Sequence, residues 1–337
     1  MSSNSIYVGI DLHKRSFAFV MLDGDGRRLT QGSCSTEGGE VCDFARRLDR
    51  RHQVVLEPLA NSFWLIEQLV PYAGGVYLAN PYKVRLIAES RLKNDRIDAW
   101  ILADLLRVGY LPVVYIPTAE VIGWRRLISH HIRLVRDRTH WRNRILGLID
   151  HEGLRVTVSD AFGKRGRAEV DQLPLSPQTR RFVDDLLVSH DLVSRQLDDV
   201  DAEIEAISGS DTICRLLQTM DGIGPFTALA IRAAVGDMKR FKSPKAFAAY
   251  TGLIPSYRQS AETIHNGSIT KQGVSTLRWA LLQGVNHAVR HTDYLQRLYR
   301  RLCFRSSVAQ ARVAVAHAMA RMIYHVWMEA RPYYRSR

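Results

Sequence analysis

SIYVGIDLHK, residues 5–14, is a strand-like apolar run that closes on a carboxylate, Asp11. A run such as IYVGI is buried on both faces of a sheet, and a charge at its end is costly unless it has a use. The runs FAFVMLD, QVVLEP and GVYLA follow before residue 80, separated by turn signals such as Asp23-Gly24-Asp25-Gly26 and by one amphipathic helical stretch near residues 40–50. Two strands joined by a short turn, then a helix, then further strands, predict a mixed α/β sheet. From Pro81 to about Arg107 the pattern turns helical and carries RLKNDRIDAWILADLL.

Helical periodicity then extends over residues 121–150 and again over 176–207, separated by FGKRGRAEVDQLPLSP, whose Gly, Lys, Arg and Pro read as a loop. This pattern predicts an extended helical hairpin. The remainder, from about Asp211, reads as helical and opens with MDGIGPFTALAIRAAVGD. The expected divisions are an RNase H/RuvC-like α/β domain over 1–115, a basic helical hairpin or coiled-coil linker over 116–208, and a mainly α domain over 209–337.

At 337 residues the chain is long enough for two cores. Lys and Arg outnumber Asp and Glu by 47 to 34, a formal charge of +13. Such a surface fits a polyanion, whose counterions are released when Lys and Arg replace them. Nucleic acid is the leading partner; a merely soluble basic protein, or one drawn to anionic lipid, is the plainer alternative. No apolar run reaches the ~18 residues of a membrane span, and no secretory leader pattern is seen. A cytoplasmic, nucleoid-associated protein with no membrane partner is expected. Cys34, Cys42, Cys214 and Cys303 are scattered without C-x-x-C spacing and read as packing residues.

The first helix of the hairpin carries Arg125, Arg126, Arg133, Arg136, Arg138, Arg142 and Arg144, interleaved with Trp124, His140 and Trp141. Such a face suits phosphate backbones and stacked bases. Alternatively, these arginines pair with the acids of the second helix, among them Asp184, Asp185, Asp198, Asp199, Asp201, Glu203 and Glu205. Gly222-Ile223-Gly224 before an Ala-rich helix resembles the hairpin of a helix-hairpin-helix motif, in which glycines let backbone N–H groups approach a phosphate. A tight interhelical turn is the competing reading.

A two-metal nuclease gathers carboxylates from several elements around cations roughly 3.5–4 Å apart. Asp11 and Glu57 each close an apolar strand, and Asp95 and Asp98 stand i, i+3 on one helix face. Two like charges about 5 Å apart at an effective dielectric of 20 repel by roughly 3 kcal/mol, so something positive must offset them. A metal does so; so would Lys93 and Arg96, with Asp95 and Asp98 then only decorating the helix. Joined to the strand-end acids in this order, the set Asp11, Glu57, Asp95 and Asp98 is expected to ligate Mg²⁺ or Mn²⁺. Asp104, further along the helix, reads as a supporting acid.

YVGIDLHK at 7–14, VVLEP at 54–58, Asn80-Pro81, KNDRIDAWILADLL at 93–106, MDGIGPFTA, and FAAYTGLIPSYRQSAETIHNGSITKQGVSTLRWAL at 247–281 together span nearly the whole chain. In this order they resemble the RNA-guided transposases, or bridge recombinases, of bacterial insertion-sequence family one-hundred-ten. The resemblance implies that the family's DEDD acids fall on Asp11, Glu57, Asp95 and Asp98. It also implies that the serine of its RQSG-like motif, the DNA nucleophile, falls on Ser260 in Arg258-Gln259-Ser260-Ala261. The implied partners are DNA, a noncoding bridge RNA that selects donor and target by base pairing, and further copies of the chain in a dimer or tetramer with a composite site. Two positions depart from the pattern: Ala261 replaces a glycine, and Pro58-Leu59-Ala60 replaces Ala-Thr-Gly after the second acid. Neither removes a reacting group.

Read from the residues alone, Ser260 is an ordinary serine in a polar, flexible loop among Tyr257, Arg258, His265, Gly267 and Lys271. Cations there suit phosphoryl chemistry, and His265 is the nearest base in sequence for a hydroxyl that needs activation. The expected nucleic-acid contacts are Arg125, Arg126, Arg133, Arg136, Arg142, Gly222, Gly224, Arg258 and Lys271. The rival functions are a RuvC-like nuclease or junction resolvase using water, and an inactive nucleic-acid-binding relic. An actin-like sugar kinase, suggested by Gly9-Ile10-Asp11, lacks the glycine-rich adenosine segments that it needs.

Overall fold

β1 (Ile6–Leu12) is buried on both faces from Tyr7 to Ile10, so the N-terminal part of the protein is built in layers around it. A computed structural model describes residues 4–37, 39–87, 95–260, 263–269 and 273–333, with backbone alone for 255–260 and 263–268. It divides into two compact units, residues 1–116 and 117–337.

In the first unit β1 pairs antiparallel with β2 (Ser16–Leu22), which pairs with β3 (Arg28–Ser35). After α1 (Glu40–Arg46), β4 (His52–Leu56) returns parallel to β1. After α2 (Ser62–Leu69), β5 (Gly75–Ala79) joins parallel to β4. Helices α3 (Pro81–Ile87) and α4 (Asp95–Arg107) precede β6 (Val113–Val114), which closes the order β3-β2-β1-β4-β5-β6. This is the mixed α/β sheet that the strand-like runs predict.

Successive strand residues point to opposite faces. Val8, Ile10 and Leu12 join Val54 and Leu56 in a core with Val41, Phe44, Leu65 and Leu69, so α1 and α2 cover that face. Tyr7 packs with Val20, Leu22, Ala99 and Ala103, and Val55 with Ala79, Val84 and Leu102, so α3 and α4 cover the other. Gly9 lies between Tyr7 and Asp11 on the α4 face, and its missing side chain lets the helix backbone sit directly on the strand.

The second unit opens on α5 (Ala119–His151), N-capped by Thr118, and continues through α6 (Lys164–Gln172) to α7 (Pro177–Ser210), N-capped by Ser176. The start of α5 shares a core with the end of α7 (Val121 and Ile128 with Val200 and Ile204), while its end packs with the start of α7 (Ile145 and Ile149 with Val183 and Leu187). The pair is therefore an antiparallel hairpin. Its connection is not the plain loop that its composition predicts. Val170 of α6 is buried in the second of those cores, and Gly166 lets α6 lie against the backbone of Asp160 and Ala161.

Helices α8 (Thr212–Leu217), α9 (Pro225–Val235), α10 (Pro244–Tyr250), α11 (Ser275–His291), α12 (Asp293–Arg305) and α13 (Val308–Glu329) complete the unit around a core of Leu229, Phe247, Leu281 and Met319. A second departure from expectation is a two-stranded antiparallel hairpin between α10 and α11, β7 (Pro255–Ser260) with β8 (Thr263–Ile269). The sequence there reads as a flexible loop because its residues are polar. Thr263, Ile264 and Ile269 are β-branched residues that favour strand. Of the cysteines, Cys34 and Cys214 are buried as expected of packing residues, whereas Cys42 is exposed. No helix among the described residues is long and apolar enough to cross a membrane.

Candidate metal centre

The register Ile10↔Leu56 between parallel β1 and β4 carries the chain on to Asp11 and Glu57, side by side at the carboxyl ends of neighbouring strands. Parity puts both on the α4 face, because Asp11 follows Tyr7 and Gly9, and Glu57 follows Val55. Helix α4 starts at Asp95 and has Asp95 and Asp98 in its first turn, where the helix dipole favours acids. The close seat of α4 on Gly9 therefore brings this turn over the strand ends. Electrostatic interaction links all four predicted acids in the first unit, but they do not all lie within ligand distance of one another.

The electrostatics record their proximity. Burial pushes the Asp11 carboxyl above its ordinary value; His13 beside it pulls the other way, and the charges of Asp95 and Asp98 push it up again. Burial also raises Glu57, and the charges of Asp11 and Asp98 add to the effect. Asp104 stands apart from the four, held by Arg107 through hydrogen bonds of 2.9 and 2.7 Å.

One member was missing from the sequence reading. His13 Nε2 lies 3.3 Å from Asp11 Oδ2 and 3.1 Å from Asp95 Oδ2, so an imidazole bridges the strand and the helix. Asn61 donates from Nδ2 to the carbonyl oxygen of His13 at 3.1 Å, which fixes the turn after β1. The i, i+2 spacing from Asp11 was the available signal, since both residues share one side of the pleat. Ligand atoms of Asp11, His13 and Asp95 lie within 4.8 Å of one another. Hard carboxylate oxygens that repel one another, from half-buried Asp11 and exposed Asp95, fit a hard divalent cation. Of the two alternative cations, Arg96 is exposed and Lys93 lies outside the described residues.

The remaining predicted residues fall in the second unit. Ser260 ends β7 opposite Thr263, and Arg258 pairs with His265 in the same ladder; Lys271 lies outside the described residues. Gly222, with φ of +85°, abuts the backbone of Gly284 on α11, and Gly224 N-caps α9. They border a cleft of about 440 Å³ lined also by Gln218, Asp221, Gln283 and His287. Asp221 in its rim accepts a hydrogen bond from Thr292 at 2.9 Å.

The arginines of α5 divide. Arg125 reaches the carbonyl oxygens of Ala233 and Ala234 at 2.8 and 3.2 Å, and Arg142 donates to His190 Nε2 at 3.3 Å and lies over the Phe162 ring. Arg126, Arg133 and Arg136 are exposed. Between the two long helices, His131 Nε2 meets Asp201 Oδ1 at 2.9 Å, and burial lowers the imidazole's pKa, so the contact is a hydrogen bond of the neutral ring at neutral pH.

An acid group on an RNase H-like sheet, followed by a mainly helical region, fits an enzyme that cuts nucleic-acid strands, and the family matches make the class a transposase. Residues 8–152 match the DEDD transposase family model of the IS110 type, and residues 214–300 match the model described as "Transposase IS116/IS110/IS902 family". The chain belongs to the IS110/IS116/IS902 transposases. It is 29% identical over 259 residues to the transposase for insertion sequence element IS1111A of Coxiella burnetii, covering 73% of this chain and 70% of that one. A probable family 20 transposase of Pseudomonas aeruginosa is 26% identical over 94% of this chain and 95% of its own. The transposase for element IS1328 of Yersinia enterocolitica is 25% identical over 86% of each.

Proposed function

We propose that this transposase cuts and rejoins DNA through a covalent serine–DNA bond, with Ser260 as nucleophile and Asp11, Glu57, Asp95 and Asp98 as ligands of Mg²⁺ or Mn²⁺. The observation that carries the reading is the meeting of Asp11 and Glu57 at adjacent strand ends beneath the first-turn acids of α4. A divalent cation held there supplies positive charge against the phosphate oxygens as negative charge develops on them. The oxygen of Ser260 bonds to phosphorus while the P–O bond to the next nucleotide breaks; its proton passes to a base, and the leaving deoxyribose oxygen ends as a hydroxyl. Attack by a hydroxyl of the incoming strand reverses the step, so the bond energy is conserved and no ATP is needed.

In this reading the hairpin of 116–208 serves as a linker, and the exposed Arg126, Arg133 and Arg136 contact phosphate. Gly222, Gly224, Arg258 and Lys271 do the same from the C-terminal half, while Arg125 and Arg142 act through the helices that they hold. The +13 charge suits a large nucleic-acid load, including a guide RNA that reads sequence by pairing. The active form is a cytoplasmic, nucleoid-associated dimer or tetramer.

The test is incubation of the protein with Mg²⁺, RNA transcribed from the flanks of the element and end-labelled DNA. A protease-sensitive protein–DNA adduct is expected, absent in Ser260→Ala and in Asp11→Ala. The second reading, a nuclease that uses water, is favoured by the assembly of the acids within residues 1–116. It prevails if Ser260→Ala still cuts while Asp11→Ala does not.

A further inference from the structure

Helix α12, DYLQRLYRRLCFR, has a sharply divided surface. Leu295 is buried in the core, Leu298 is half-buried against it, and Leu302 is half-buried. At 3.6 residues per turn, Arg297, Arg300, Arg301 and Phe304 fall on the other side. All four are exposed, and Phe304 is 94% exposed. Asp293 is the only acid in the helix, and Arg297, Arg300, Arg301 and Arg305 have no ion-pair partner among the described residues.

This surface works against the fold. Arg297, Arg301 and Arg305 are spaced i, i+4, i+8, and like charges at that spacing destabilise a helix. The helix C-terminus rewards Arg305, but it gives no reason for Arg297 or for an aromatic ring left in water. Arginines around a solvated ring are what an unpaired nucleic-acid strand uses: phosphates take the guanidiniums, and a base stacks on the ring. Duplex DNA offers the phosphates without the free base.

We propose that the outward face of α12 holds single-stranded DNA, with Phe304 stacked on an unpaired base and Arg297, Arg300 and Arg301 on the flanking phosphates. Strand cutting and exchange expose such a strand. The inference rests on the chain acting on DNA but not on which residue cuts it.

The experiment is fluorescence anisotropy of the full-length protein with a labelled mixed-sequence oligonucleotide of about 20 nucleotides, presented as single-stranded DNA, single-stranded RNA or duplex DNA. Phe304→Ala is expected to weaken single-stranded DNA binding about fivefold or more, with duplex binding within about twofold, and Phe304→Trp to restore it. Arg297→Gln with Arg301→Gln should lower the salt slope by about 1.4, two phosphates at about 0.7 each. Phe304 is so exposed that folding is not at stake, and circular dichroism melting verifies this. The assignment is overturned if Phe304→Ala leaves single-stranded DNA binding unchanged, if duplex binding falls equally, if only RNA binding falls, or if light scattering shows a changed oligomer at unchanged DNA affinity. A wild-type protein that binds no DNA in any form sinks the transposase reading instead.

Discussion

Gly9 of β1 lies against Ala99 of α4 so closely that a Cβ at residue 9 would come within 1.8 Å of the Ala99 carbonyl oxygen. The contact is backbone on backbone, so no side-chain rotation relieves it. Gly9→Ala must push α4 off the sheet and carry Asp95 and Asp98 with it. Overpacking of this kind costs about 1–3 kcal/mol. Chemical denaturation should show that loss, and isothermal calorimetry should show weaker Mn²⁺ binding than in wild type. Unchanged Mn²⁺ affinity would mean that the seat of α4 does not set the geometry of the acids.

Asp11→Asn separates stability from metal binding. The carboxylate is partly buried among like charges, so its neutral isostere should raise the melting temperature of cation-free protein at neutral pH by a few degrees. Millimolar Mg²⁺ or Mn²⁺ should raise the melting temperature of wild type by mass action and leave that of Asp11→Asn almost unmoved. Differential scanning fluorimetry reads both arms. An equal cation response in the two proteins would place the cation elsewhere.

The pH dependence follows from the raised carboxyls of Asp11 and Glu57, for which burial is the main cause. Between the ordinary carboxylate range and the raised values, the folded state holds more protons than the unfolded one, so these groups make stability fall as pH rises. Urea midpoints in EDTA, taken from about pH 4.5 to about pH 7, should decline more for wild type than for Asp11→Asn/Glu57→Gln. Saturating Mn²⁺ should abolish or reverse that difference, because the cation binds the deprotonated form. Parallel curves without cation would contradict the burial argument.

Arg125→Met removes a guanidinium from the carbonyl oxygens of Ala233 and Ala234 near the end of α9. Charged hydrogen bonds of this kind contribute roughly 1.5–3 kcal/mol, so a stability loss of that order is expected in urea denaturation. Arg126→Met, one residue on and exposed, should leave the midpoint unmoved and weaken duplex binding instead. The reverse ranking would restore Arg125 to the DNA-contacting set.

Much of this was legible because local pattern and global fold agree. Strand-like runs closed by Asp11 and Glu57 announced the sheet, and the i, i+3 spacing of Asp95 and Asp98 survives as the first turn of α4. What escaped depended on partners far along the chain. Arg125 reads as a phosphate contact until its acceptors, more than one hundred residues away, are known. The β7–β8 hairpin lacks the apolar alternation that marks a half-buried strand, and the composition of the α6 segment concealed Val170, whose core neighbours lie on other helices. His13 was legible in principle, since the pleat that orients Asp11 also orients it.

The long hairpin carries a consequence for how the protein can vary. Its two apolar clusters are separated by a polar belt in which Arg142 donates to His190, while Asp191 meets both His190 and Arg167. Side-chain packing is thereby interrupted partway along the arm, and the far end is held chiefly by its own residues. Loosening the far cluster, for example by Val183→Ala, is therefore expected to leave the core at the root of the hairpin intact.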